Sequence, residues 1–339
     1  MPSLHILCNP NATVHINNRT DPFSIAVIKF ANNMTELGWN CIIYAIPGSE
    51  ANVEVVNCLP FKTIGTHQNV VTYNTIAGSE ISRRKKPGDL IMCFHGWENK
   101  AAAEANSDLR IVEPSIGYDV KAVFAPYRVF TSYAQMHMFY GLKDMLMTPS
   151  WFDAVIPNAF TPSEFEYNEN KKDYILYFGR VIESKGIHIA IQATKETGNK
   201  LVIAGPGNLA DLGYAEIPQH VEYVGVCDAE KRKQLMSEAK AIIGPTYYVE
   251  PFGNMVAEGY FSGTPAITSD WGGFVDTVVH GKTGYRCKEF SEFVTAIESI
   301  DKIKHIDCYE FAMNNFSELV VHQKFNDYCN KVIQSNFYR

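Results

Sequence analysis

From residue 172 onward, short apolar runs alternate with helical spacings and polar loops. Strand-like runs at 174–178, 200–204, 221–224, 241–243 and 265–268 are interleaved with helical patterns at 186–197, 229–238 and 254–261. This alternation predicts parallel βαβ units with right-handed crossovers. Helical spacing resumes from Ser291 to the C-terminus, with Phe316-Ser317 as a cap before a last helix through Tyr328. The first half reads in the same way. A strand at 4–8 precedes a helix from Pro22 to Leu37, with Asp21 as N-cap, Pro22 at the first helical position and a stop at Gly38. A strand at 41–46 completes that unit. Between 50 and 88 the pattern is weak, holding only the apolar stretch 69–76 and the basic run Arg83-Arg-Lys-Lys86.

Residues 89–94 then predict a buried strand that ends in His95-Gly-Trp-Glu-Asn99, followed by strands at 109–113 and 122–125 and a helix over 131–140. A short strand and turn are expected at 155–158. The polar, unpatterned segment 161–172 marks a domain boundary. The expectation is an α/β chain of two domains, 1–165 and 166–325, with a terminal segment 326–339 that packs back on the first.

Composition narrows the function. The 339 residues are ample for two cores, and 46% hydrophobic with 20% charged residues describes an ordinary soluble chain. A formal charge of −7 disfavours a nucleic-acid partner, which would require a basic face. No apolar run reaches the roughly 18 residues of a membrane span. The start of the chain lacks a signal-peptide pattern, so a cytoplasmic location is expected. The eight cysteines show no paired ligand spacing and are expected to be free thiols. The basic run 83–86 reads as a solvated turn, with contact to an anionic acceptor or an acidic membrane surface as the alternative.

The chemistry concentrates in two motifs. In Glu250-Pro-Phe-Gly-Asn-Met-Val-Ala-Glu258 two carboxylates flank the predicted start of a helix near Asn254. Such a terminus offers unpaired amides and the positive end of a dipole to a phosphate, and Gly253, without a Cβ, admits a ligand to the backbone. Upstream, Tyr177-Phe-Gly-Arg180-Val-Ile-Glu-Ser-Lys185-Gly186 puts two cations in the loop after a strand. That is the edge at which open α/β sheets bind ligands. Two cations and a helix N-terminus on one sheet describe a diphosphate site.

Together with Val202-Ile-Ala-Gly-Pro-Gly207, Tyr223-Val-Gly225 and Ser262-Gly-Thr-Pro-Ala266, these motifs resemble the nucleotide-sugar half of retaining glycosyltransferases of the GT-B fold, family 4. The resemblance covers 172–287. It implies two Rossmann-like domains facing across a cleft, a C-terminal helix crossing back to the first, and transfer of a hexosyl unit from a UDP- or GDP-sugar to a glycan or glycolipid hydroxyl. Arg180, Lys185 and the amides of Gly253, Asn254 and Met255 would stabilise the departing diphosphate, with no metal and no other cofactor. By the same resemblance Glu258 takes the ribose hydroxyls and Glu250 the sugar hydroxyls beside the reacting carbon. The Gly205 loop lies by the nucleoside, Val226 and Cys227 hold the base through backbone groups, and His95 contacts the transferred sugar.

The chain departs from the family pattern in two places. The loop after the first strand has Asn9, Asn11 and Ala12 in place of a glycine pair, and Glu113-Pro114 stands where a histidine is common. A nucleotide-sugar 2-epimerase on the same fold and a non-catalytic nucleotide-sugar or glycan-binding relative are the other readings.

Overall fold

The computed structural model describes residues 2–15, 22–60, 67–145 and 147–335. The chain divides into two compact units. The first holds Met1–Thr131, Met136–Ala159 and Glu318–Arg339, and the second Ser132–Gln135 and Phe160–Ser317. The expected N-cap Asp21 lies outside the described residues.

The first unit runs β1 (Ser3–Leu7), α1 (Pro22–Glu36), β2 (Asn40–Ala45), β3 (Glu54–Asn57), α2 (His67–Arg84), β4 (Leu90–Cys93), α3 (Lys100–Glu104), β5 (Arg110–Ile116), β6 (Tyr127–Phe130), α4 (Tyr133–Leu142) and β7 (Ala154–Val155). Its strands form a parallel sheet of order β3-β2-β1-β4-β5-β6-β7. Leu4, Ile6, Ile43, Leu90 and Met92 of the central strands are fully buried, as continuous apolar runs covered on both faces should be.

The second unit runs β8 (Lys172–Phe178), α5 (Ile187–Glu196), β9 (Lys200–Ala204), β10 (Val221–Gly225), α6 (Ala229–Glu238), β11 (Ala239–Gly244), α7 (Asn254–Phe261), β12 (Ala266–Ser269), α8 (Phe274–Thr277), β13 (Gly284–Cys287), α9 (Phe290–Ser299) and α10 (His305–Phe316). Its parallel sheet has the order β10-β9-β8-β11-β12-β13. The last helix, α11 (Glu318–Gln334), belongs to the first unit, where Val321, Phe325, Cys329 and Val332 join the core beside Phe30. Tyr328 Oη donates to the Phe152 carbonyl at 2.9 Å.

Three expectations are corrected. Residues 122–125 are not a strand: the amides of Phe124 and Ala125 donate to the Glu113 carboxylate at 2.9 and 2.8 Å instead of to a ladder, and β6 begins only after Pro126. The division between units falls before Phe160, not after 165, because Phe160 and Phe165 stack on Phe252 and Phe261 in the second core. The terminal helix starts at Glu318, directly after the expected cap Phe316-Ser317, but runs to Gln334 and not to Tyr328, and the segment that belongs to the first unit begins at 318, not 326, since Phe316 closes α10 and its carbonyl accepts from the Phe160 amide at 2.9 Å.

The weak region 50–88 contains β3 and α2. The basic run closes α2 and the turn behind it. Arg83 and Arg84 pair with Glu80, Arg84 also with Glu54, and Lys85 with Asp108. Among the described residues no helix is long and apolar enough to cross a membrane.

Candidate active site

In the second sheet the chain runs outward from β8 to β9 and β10, then returns to β11 on the other side of β8. The loops after β8 and β11 therefore leave neighbouring strand ends in opposite directions and open a crevice there, the usual ligand position in such sheets. These loops carry Arg180–Gly186 and Pro245–Gly253. Gly186 joins them: its φ is +69°, and a Cβ there would stand 1.8 Å from the Pro245 carbonyl oxygen. The Tyr247 amide donates to the Ser184 carbonyl at 2.8 Å. No other residue type fits that approach without moving a loop.

Two predicted residues meet as a result. Lys185 Nζ lies 2.6 Å from Glu250 Oε2, with side chains 19% and 14% exposed. Tyr248 Oη donates to the same Oε2 at 2.7 Å, and its ring lies under the ammonium at 4.9 Å. Burial, together with the Glu250 charge, pushes the Tyr248 phenol well up, so it remains a donor at neutral pH. The backbone here is braced too. Trp271 Nε1 donates to the Tyr248 carbonyl at 3.2 Å, and the Gly273 amide to the Glu250 carbonyl at 2.6 Å. Arg180 is exposed on the same loop, and its charge acts on the phenols of Tyr177 and Tyr248.

α7 opens behind Gly253 with no side chain capping its first turn, which leaves that end suited to an anion. Asn254 is exposed and Met255 half-buried there. The reason for Gly253 differs from the expected one. Its φ is +91° and a Cβ would lie 2.5 Å from the Phe274 ring, so packing takes the space a ligand was expected to use. One turn in, Glu258 is only 9% exposed and faces Arg232 Nη1 of α6 at 3.5 Å.

Gly205 follows β9, and a Cβ on it would stand 2.0 Å from the Gly179 carbonyl, so the loops after β8 and β9 touch by backbone. Val226 is 76% exposed after β10, and Cys227 is half-buried beside it. All these residues belong to the second unit. His95 belongs to the first, half-buried after β4, with its amide donating to Asn99 Oδ1 at 3.0 Å. Among the described residues no group of three or more His, Cys, Asp or Glu is placed to hold a metal ion.

The residues that build this crevice fall within a stretch, 160–313, that matches the family model "Glycosyl transferases group 1". That stretch is similar to group 1 glycosyl transferases. Glycogen synthase of Mycobacterium tuberculosis is 33% identical over 255 residues, 71% of this chain and 57% of that protein. The chain thus matches little more than half the length of that curated relative. Sucrose-phosphate synthase from Thermosynechococcus elongatus has a similar structure, with a TM-score of 0.74 at 16% identity over 98% of each chain. So does HepE of Anabaena, solved with UDP and glucose, at a TM-score of 0.70 and 16% identity over 97% of this chain and all of that one. These likenesses establish two Rossmann-like units of the GT-B fold.

Within the matched stretch, sequence reasoning missed Tyr248 and Arg232. Tyr248 had a readable signal, an aromatic phenol two residues before the first carboxylate in a loop already marked for chemistry. Arg232 had none, because its relation to Glu258 arises only when α6 packs on α7.

Proposed function

We propose that the protein is a retaining glycosyltransferase that moves a hexosyl unit from a nucleoside-diphosphate sugar to a carbohydrate-bearing acceptor hydroxyl, without a metal ion. The observation that carries this reading is the convergence of Lys185 and Tyr248 on Glu250 at the second sheet's switch point, beside the uncapped start of α7. A donor diphosphate at that helix end would meet the Lys185 ammonium and the exposed Arg180. As the bond between the anomeric carbon and the phosphate oxygen breaks, negative charge grows on that oxygen and these cations stabilise it. Glu250 Oε2 already receives two donors, so Oε1 is the oxygen left to take a hydroxyl of the sugar. The acceptor oxygen bonds to the anomeric carbon from the face the diphosphate leaves, and its proton passes to the leaving phosphate oxygen. No side chain is then required as general base.

Glu258, held by Arg232, accepts from the ribose hydroxyls, while the backbone at Gly205, Val226 and Cys227 borders the nucleoside. The burial of Glu113, whose carboxylate is engaged by its own loop, supports reading that position as an anchor and not as a lost catalytic histidine.

A thermal-shift screen tests the reading, with UDP, GDP, ADP and their sugar conjugates in chelator-containing buffer, UDP-glucose first. A ligand at a hundredfold excess over its dissociation constant raises stability by about 2.7 kcal/mol. A shift with one nucleotide identifies the base of the donor, and no shift with any of them refutes the donor site.

A further inference from the structure

We infer that Tyr223 of β10 is a positioning residue, whose phenol holds the loop 205–207 and so fixes the backbone from which Arg180 meets a donor diphosphate. On the donor-site reading above, on which this rests, Tyr223 acts through Arg180 and not by touching the nucleotide.

The need for such a clamp is written in the sequence. Gly205-Pro-Gly207 has no side-chain donor and no amide hydrogen at Pro206, and its glycines have φ of +143° and +132°, values that other residues rarely adopt. A segment of this kind loses much conformational freedom on ordering, so contacts from outside must hold it. β10 supplies one. It carries an extra residue, Val224, in its pairing with β9: Tyr223 stands opposite Ile203, and Gly225 opposite Ala204. The Gly225 carbonyl then accepts from the Gly205 amide at 2.8 Å. Tyr223 is half-buried, with Oη 3.0 Å from the Gly205 carbonyl oxygen and 2.7 Å from that of Gly207. One phenol proton is thus shared between the two ends of the loop.

Arg180 lies between two residues tied to that same segment. On one side the Gly179 amide donates to the Ala204 carbonyl at 2.9 Å, and on the other the Val181 amide donates to the Pro206 carbonyl at 2.8 Å. A Cβ on Gly207 would stand 2.7 Å from the Val181 carbonyl oxygen, so the two loops meet by backbone. From β8, Tyr177 Oη donates to the Arg180 carbonyl at 2.8 Å. The Arg180 backbone is therefore held as firmly as 204–207 is, and Tyr223 grips both ends of that loop. The Arg180 side chain itself is exposed, so its aim depends on where the backbone starts it. A cation stabilises a departing phosphate best when it is in place before the bond breaks.

Isothermal calorimetry on the intact chain tests this, with UDP, GDP and ADP each set beside its monophosphate. Tyr223→Phe keeps the ring and deletes the hydroxyl, and should weaken the diphosphate that binds by up to about tenfold, the upper range for one hydrogen bond. Affinity for the matching monophosphate should stay unchanged, because that ligand lacks the phosphate Arg180 meets. Arg180→Ala should lower the same ratio. Adding Tyr223→Phe to Arg180→Ala should lower it no further, the non-additivity of two residues that act as one. Amide exchange read by mass spectrometry should quicken in Tyr223→Phe at 178–181 as well as at 204–207, with the melting temperature within a few degrees of the wild type.

Equal loss of diphosphate and monophosphate would make Tyr223 a wall of the nucleoside pocket and overturn the inference. So would additive effects with Arg180→Ala, or exchange at 178–181 that does not change. A wild type that binds none of these nucleotides would remove the donor-site reading itself. Diphosphate binding by the wild type with an unaltered ratio in Tyr223→Phe would remove only the role of Tyr223.

Discussion

Two buried groups of the first unit should make its stability depend on pH in opposite directions. Glu113 is fully buried, and desolvation pushes its carboxyl from 4.5 up to about 7, against the pull of the Ala125 and Phe124 amides, Tyr118 Oη and the Arg128 charge. His322 of α11 is 3% exposed, and burial lowers it from 6.5 to about 4, opposed by the Glu318 carbonyl at 2.7 Å from Nδ1 and reinforced by Lys29.

The signs follow from proton counts. Between pH 4.5 and 7 native Glu113 keeps a proton the unfolded chain has released, so stability falls as pH rises. Between pH 6.5 and 4 the unfolded chain binds a proton that native His322 refuses, so stability falls as pH drops. Each shift corresponds to about 3 kcal/mol at 1.36 kcal/mol per unit. In the shared window, 4.5 to 6.5, the two slopes oppose each other and the wild type should be nearly flat with respect to this pair.

Glu113→Gln should expose the histidine slope, with stability climbing by about 3 kcal/mol from pH 4.5 to 6.5 relative to wild type. His322→Gln should give a fall of similar size over the same range. Urea unfolding followed by tryptophan fluorescence reads this, because Trp39, Trp97 and Trp151 all lie in the first unit. Variants whose stability curves run parallel to the wild type across that window would refute the reasoning.

Lys185→Ala and Glu250→Ala should each lower turnover a hundredfold or more, from the roughly 2.7 to 4 kcal/mol carried by one preorganised contact; near-normal steady-state rates in either would remove the site. Tyr248→Phe keeps the ring under Lys185 and deletes the bond to Oε2, so kcat should drop roughly tenfold to a hundredfold with the donor KM little changed, and an altered KM alone would contradict this. Glu258→Ala should raise the donor KM more than it lowers kcat, and Arg232→Ala should do the same more weakly; a pure kcat loss in either argues against ribose recognition. Gly186→Ala forces a left-handed residue worth about 1 to 3 kcal/mol of strain, besides the clash with Pro245, and should lower the melting temperature and activity together.

Most of the second unit was legible because its pattern is local. The central strands there carry buried apolar runs, each long helix has its own spacing, and α7 falls on 254–261 as expected. The first unit was harder for physical reasons. α2 is rich in Asn, Thr and Ser and has a Gly, so its propensity is poor, and it is held by packing of Tyr73, Ala77 and Ile81 on the sheet. In the second unit the exception was β13, four residues with a Gly and an Arg, which shows no strand pattern ahead of the helical spacing at 291.

The same distinction separates the crevice of the second unit from the turn that follows β4 in the first. In the second unit the proposed reacting groups stand in two short motifs, and glycines bring those motifs together, so residue types and order were enough to predict that Lys185 and Glu250 share one crevice. The turn at 96–99 draws its rigidity from Cys8, Asn74, Glu113 and Ala122, which no spacing rule connects. Glu113 illustrates the point. As a letter in the chain it was a missing histidine; in the fold it is a buried acceptor whose three hydrogen bonds set the wall against which Gly96 turns. Replacing it with a histidine would therefore not restore a family feature. It would remove an acceptor for two backbone amides and loosen the turn after β4.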